Sequence, residues 1–151
     1  MAPADSITPS PGTYVLRLEM NRQRIMEIGA LGYLQFPAAT YLYVGSAHGP
    51  GGLRARLRHH RSRPTRPHWH LDYLRRHAQV SGAWLLAGPD KLECQWAETL
   101  SATDELEPFG PGFGSSGCGC SSHLLRITRS AGDLIKLISE RIHPVLFRPF
   151  V

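Results

Sequence analysis

Apolar and polar side chains alternate from Thr13 to Glu19 (TYVLRLE), the period of two that lays one face of a strand on a core. Arg24 to Ile28 (RIMEI) predicts a second, short strand, and the GALG that follows it predicts a turn. Thr40 to Val44 (TYLYV), rich in aromatic and β-branched residues, predicts a third strand. Gly49 to Gly52 then interrupts the pattern, and Leu53 to Arg61 takes up helical spacing. Further along, the pattern predicts a helix over Leu71 to His77, a strand over Val80 to Ala87 and a helix over Lys91 to Thr103. A strand over His123 to Thr128 precedes a last helix, Asp133 to Arg141, within the stretch 130–142. Pro108 to Ser122, crowded with Pro, Gly, Ser and Cys, reads as a long loop. No repeat or linker divides the chain, and strands early with helices between and after them indicate a small α+β domain. Residues 1–11 show no period and read as a flexible leader to one domain at 12–151.

Helical geometry sorts the cations of LRARLRHHR. Leu53 and Leu57, four apart, mark the buried stripe. At roughly 100° per residue, Arg56 and His60 fall beside or within that stripe, Arg54, Arg58 and Arg61 turn toward solvent, and His59 lies on the far flank. An Arg and a His on the core side are costly to bury unless they serve something. In KLECQWAETL the apolar face is Leu92, Trp96 and Leu100; Glu93 falls on that side and Glu98 points away. A carboxylate at the edge of a core face needs a cation, a metal or several donors, and a Glu93–Arg56 ion pair is the purely structural account. On the strand, Tyr41, Tyr43 and Gly45 share a face, so Tyr43 stands beside the turn that launches the Arg56 helix.

Composition adds direction. The 151 residues carry a formal charge of +5, with arginines crowded between Arg54 and Arg76, and Arg presents a planar fork suited to phosphate oxygens. That favours a polyanionic partner. No apolar run approaches the roughly 20 residues that span a bilayer, and the N-terminus lacks the charged and apolar regions of a signal peptide, so a cytoplasmic protein is expected. Three cysteines, Cys94, Cys118 and Cys120, are an odd number and argue against a disulfide framework. Two further groups invite a metal reading: His68, His70 and Asp72 in HWHLD, and Cys118, Cys120 and His123 with Cys94. The first favours a structural or substrate-contact role. For the second, a zinc ion is the lesser reading, because the spacing departs from common structural patterns; tight packing of the loop with Cys94 buried beside it is the greater.

Gly12-Thr13-Tyr14, Tyr43-Val44-Gly45, the helix Gly52-Leu53-Arg54-Ala55-Arg56-Leu57 with His60, and Glu93 followed by Trp96 and Ala97 resemble, in this order, the motifs of the GIY-YIG nuclease superfamily. HWHLDYL, LEC and GFGSSGCGCSSHL are similar to a subfamily found alone in bacteria and fused to endonuclease III in some archaea. Together the motifs cover residues 12–127. The resemblance implies a GIY-YIG-like domain, a central and mainly antiparallel sheet flanked by helices, and a metal-dependent endonuclease acting on DNA, with repair or processing suggested by the family's associations. Tyr14, Tyr43, Arg56, His60 and Glu93 would be catalytic, with either tyrosine allowed as the base. Glu93 would hold Mg2+ or Mn2+, and Arg54, Arg58, Arg61, Arg63 and Arg66 would follow the nucleic-acid backbone. A nucleic-acid-binding module without turnover, and an adaptor whose basic helix meets an acidic protein, are the competing expectations.

Overall fold

The computed structural model describes residues 7–62, 66–115, 118–129 and 132–150. Its elements are β1 (Gly12–Met20), β2 (Arg24–Glu27), β3 (Tyr33–Phe36), β4 (Ala39–Ser46), α1 (Gly52–Arg61), α2 (His70–Leu74), β5 (Gln79–Ala87), α3 (Glu93–Ser101), β6 (Leu106–Pro108), β7 (Leu124–Ile127), α4 (Leu134–Arg141) and β8 (Leu146–Pro149). Six strands form one sheet in the order β6-β7-β4-β1-β5-β8, every neighbouring pair antiparallel, and β2 with β3 form a separate hairpin. The expected α+β class and antiparallel sheet are what the chain adopts.

Alternation along β1 explains the layering. Tyr14, Leu16, Leu18 and Met20 face one way and pack with Leu53 and Leu57 of α1 and Leu71 and Leu74 of α2. Val15 faces the other way, into a second cluster with Trp84, Trp96 and Leu100 of α3 and Ile138 of α4. Both faces of the central strand are therefore sealed, which is why TYVLRLE is apolar beyond simple alternation.

Three strands escaped the sequence pattern. β6 and β8 lie at the two edges of the sheet and end in Pro108 and Pro149, where a missing backbone N–H leaves no ladder bond unmade. β3 exists through its pairing with β2 across a 3-10 turn at Gly29–Leu31, the place read as a turn. The expected Leu71–His77 helix closes after Leu74, although the N–H of Arg75 still reaches the Leu71 carbonyl. Asp133 caps α4, its Oδ1 accepting from the Lys136 N–H at 3.1 Å, while residues 130 and 131 lie outside the described residues. Among the described residues no helix is long and apolar enough to cross a membrane.

The leader expectation needs correction. Residues 1–6 lie outside the described residues, but Ile7 is 2% exposed and belongs to the core. Helix α1 has no side-chain cap; its opening donors Leu53 N and Arg54 N instead meet the carbonyls of Ser10 at 2.9 Å and Thr8 at 3.0 Å. Arg54 Nε also donates to the Ile7 carbonyl at 2.8 Å. Gly52, at φ 57°, allows this crossing, because a Cβ there would collide with the carbonyls of Pro9 and Ser10. Residues 7–11 are thus the cap of α1. Ile7→Ala is expected to lower stability by about 2–4 kcal/mol and the midpoint of thermal unfolding by roughly 5–15 °C; an unchanged midpoint would return the segment to a loose leader.

Candidate functional site

In the β1–β4 register Tyr14 pairs with Gly45 and Leu16 with Tyr43. The Tyr14 ring lies across Gly45, where any Cβ would strike the phenol, so the glycine of the YVG triplet is demanded by Tyr14 on the neighbouring strand. Its hydroxyl then reaches α1 and meets His60 Nε2 at 2.7 Å, with both residues buried. Tyr43 presents its ring edge-on to His60, centroids 6.5 Å apart, and packs against Phe113 and Gly114. Arg56, one turn before His60, stacks its guanidinium 3.9 Å over the centre of the Trp69 ring, and its Nε is buried without a hydrogen-bond partner among the described residues. Glu93 begins α3, half-buried, with Oε2 3.7 Å from His123 Nδ1. No Arg56–Glu93 ion pair forms among the described residues; the partner of Glu93 at ion-pair distance there is His123.

The electrostatics follow from burial. Desolvation pushes the Tyr14 phenol up to about 12, aided by Glu93 and opposed by the Arg56 guanidinium. Tyr43 is raised still further by burial, then by Tyr14 and Glu93, against Arg56. His60 is driven well below its ordinary value by burial and by the cations Arg56 and Arg75, so at neutral pH its ring is uncharged and Nε2 can accept the Tyr14 proton. Burial raises the Glu93 carboxyl, with Arg56 pulling it back. Arg56 and Glu93 therefore both act on both phenols, and the five residues expected to converge share one electrostatic neighbourhood.

Asp72 is the scaffold behind this cluster. One carboxylate oxygen accepts from His68 N and Trp69 N at 2.9 Å each, and the other receives His59 Nε2 at 3.0 Å and Arg75 at 3.2 Å. Arg75 is itself buried and donates to the carbonyls of His60 and Ser62 at 2.7 Å, closing the end of α1. Trp69, pinned through its N–H to Asp72, is thereby held as the plate beneath Arg56, a role the sequence reading did not assign. The signal was present: an acid three residues after Trp69, at the start of a helix, is the position that caps backbone donors. His59, expected on the far flank, instead packs on Trp69 and Asp72. His59, His60 and Asp72 offer ligand atoms within 4.8 Å of one another, but both Asp72 oxygens and His60 Nε2 are already engaged. His70 Nδ1 accepts from Gly114 N at 2.8 Å, tying α2 to the loop that carries Phe113, while His68 sits exposed at the edge of Trp69.

The arginine stripe divides. Arg58 and Arg66 are exposed; Arg54 is half-buried on Ile7, and Arg61 lies half-buried 4.3 Å over the Phe150 ring. Arg63 lies outside the described residues. Cys94 is exposed rather than buried beside the loop, which corrects the packing expectation. Its thiol, those of Cys118 and Cys120, and His123 place ligand atoms within 4.8 Å of one another, a group able to bind a metal. The grouping weighed from the residue types is thus brought together by the fold, across the 23 residues between Cys94 and Cys118.

A family model described as "Domain of unknown function DUF123" matches residues 13–144. No curated protein and no solved structure matches the chain.

Burial would raise the Asp72 carboxyl, but the Trp69 and His68 amides with His59 and Arg75 hold it at about 2. A depressed carboxyl stabilises the fold above its unfolded value, so Asp72 contributes about 2 kcal/mol at neutral pH, lost as pH falls from about 4 toward 2. Chemical denaturation of the wild type and Asp72→Asn from pH 7 down to pH 2 is expected to show that loss in the variant at pH 7 and a flatter acid limb.

Proposed function

The chain belongs to the family described as a domain of unknown function, DUF123, and from the cleft itself we propose that it is a divalent-metal-dependent nuclease hydrolysing phosphodiester bonds in DNA. The observation that carries this reading is the Tyr14–His60 hydrogen bond at 2.7 Å, inside a cleft where an arginine and a carboxylate from opposite faces of the sheet both act on the phenol. Binding alone would need neither a buried phenol–imidazole pair nor a half-buried carboxylate without a cationic partner.

The residues suit a resident cation at Glu93. Its carboxylate is partly desolvated, and its only neighbour at ion-pair distance among the described residues is His123, which burial keeps neutral near pH 7. Mg2+ or Mn2+, content with one carboxylate plus waters and substrate oxygens, would polarise the phosphoryl group and stabilise the departing oxygen. The chain's own groups do the rest. Arg56, oriented flat by Trp69, presents its fork to the non-bridging oxygens as negative charge grows on them. Tyr14 is protonated at rest, and with the ring proton of neutral His60 on Nδ1 its O–H donates to Nε2, so proton movement away from the attacking water would have a defined path: phenol oxygen, then His60 Nε2. Tyr43 closes the wall of the cleft and shields that path from solvent. Exposed Arg58 and Arg66 supply salt-sensitive contacts to the nucleic-acid backbone that are indifferent to sequence.

With Mg2+ or Mn2+ and a panel of single-stranded, duplex and branched DNA, cleavage is expected from the wild type and a loss of at least about 100-fold from Glu93→Ala, with DNA affinity largely retained. Equal cutting by both proteins, or salt-dependent binding with no metal-dependent cutting by either, would leave a binding module. Arg56→Ala is expected to cost about 100- to 1,000-fold in rate, and Arg56→Lys to recover little, because an ammonium neither forks nor lies flat on Trp69.

A further inference from the structure

Beside the cleft, on the far side of Glu93, stands a second group of potential ligands that the hydrolytic reading does not use. Cys94 projects from the first turn of α3, and Cys118, Cys120 and His123 come from the loop that leads into β7. We propose that these four side chains form a structural zinc site, Cys3His, which staples this loop to α3 and orients the imidazole behind Glu93.

The spacing of the ligand atoms suits the corners of a tetrahedron. Zinc at about 2.3 Å from sulfur and about 2.0–2.1 Å from nitrogen requires ligand-to-ligand edges of roughly 3.6 Å for S···N and roughly 3.8 Å for S···S. His123 Nε2 lies 3.4 Å from Cys118 Sγ and 3.9 Å from Cys94 Sγ, and all four ligand atoms fall within 4.8 Å of one another. All three cysteines are free, so no disulfide accounts for their meeting. The donor set selects the metal: three thiolates and an imidazole in a closed tetrahedron suit Zn2+, whereas Mg2+ and Mn2+ prefer oxygen.

The surroundings are built for it. Backbone hydrogen bonds tie the described residues of the loop to one another and to β4: Gly112 N to Ser121 O at 2.7 Å, His123 N to Phe113 O at 2.8 Å, and Val44 N to the His123 carbonyl at 2.9 Å. The His123 ring is 1% exposed, and its Nδ1 is buried without a hydrogen-bond partner, facing Glu93 Oε2 at 3.7 Å. A metal on Nε2 places the ring proton on Nδ1, so the otherwise orphaned nitrogen becomes an N–H aimed at a carboxylate, the outer-shell arrangement that metal-bound histidines adopt. Glu93 would thereby be steadied from behind by the zinc-bound imidazole while its other side faces the cleft.

The full chain, produced in zinc-supplemented medium and purified without chelator, is expected to carry a single zinc by elemental analysis. After removal of zinc under reducing conditions, Co2+ should give the intense thiolate-to-metal absorption and visible bands of a tetrahedral thiolate site. Competition with a chromophoric chelator should show zinc affinity reduced at least about 100-fold in Cys94→Ser and in Cys120→Ser. Cys94 is exposed, so its substitution tests the ligand without disturbing the core. Failure of the reduced wild type to take up zinc from excess Zn2+, or unchanged zinc affinity in Cys94→Ser, would overturn the site.

Discussion

Where β1 passes beneath α1, a phenol and an imidazole sealed from water meet at 2.7 Å, and much of the molecule is arranged around that contact. Leaving either group unpaired in the core would cost about 1–3 kcal/mol, so helix and strand must keep their relative position. Gly45 is a glycine because the Tyr14 ring occupies the space of its side chain. Gly52 is a glycine because residues 9 and 10 cross the start of α1 to cap it. The glycine of YVG, inside β4, and the last glycine of GPGG, at the start of α1, thus both make room for the packing that lets His60 reach Tyr14.

A second chain of causes sets Arg56. Asp72 gathers two backbone amides, His59 and Arg75, and in doing so fixes Trp69. The indole then supports the guanidinium from below at 3.9 Å. Arg75 returns to the carbonyls at the end of α1, so the same carboxylate that orients Trp69 also steadies the helix bearing Arg56 and His60. In the proposed nuclease, a long, flexible side chain placed this way would lose little entropy on meeting a phosphate, which is what preorganisation requires.

Glu93 joins the two halves of the cleft from the opposite face of the sheet. Its helix packs through Trp96 and Leu100 into the second core cluster, yet its first residue reaches the neighbourhood of two tyrosines from the first cluster. Behind it stands His123, and behind that the three thiols. On the two proposals made above, a carboxylate so placed would face one cation while being oriented by a second site at its back, separating hard oxygen chemistry from soft thiolate chemistry.

Local periodicity alone determined β1, β4, β5 and the inward placement of Arg56, His60 and Glu93, because a period of two or 3.6 records which side of an element meets the core. Only the tertiary structure decided the rest. Edge strands β6 and β8 are short and half-exposed, so their pairing, not their pattern, makes them strands. Residues 7–11 look like a tail until α1 lacks a cap and their carbonyls provide one. Asp72 three residues after Trp69 is legible as a cap, but nothing local says that the pair supports Arg56, and the residue types of Cys94, Cys118, Cys120 and His123 suggest a metal group whose meeting only the fold decides. Such meetings depend on loop closure across dozens of residues, which leaves no trace in local spacing because the free energy that favours it is gathered from the whole core.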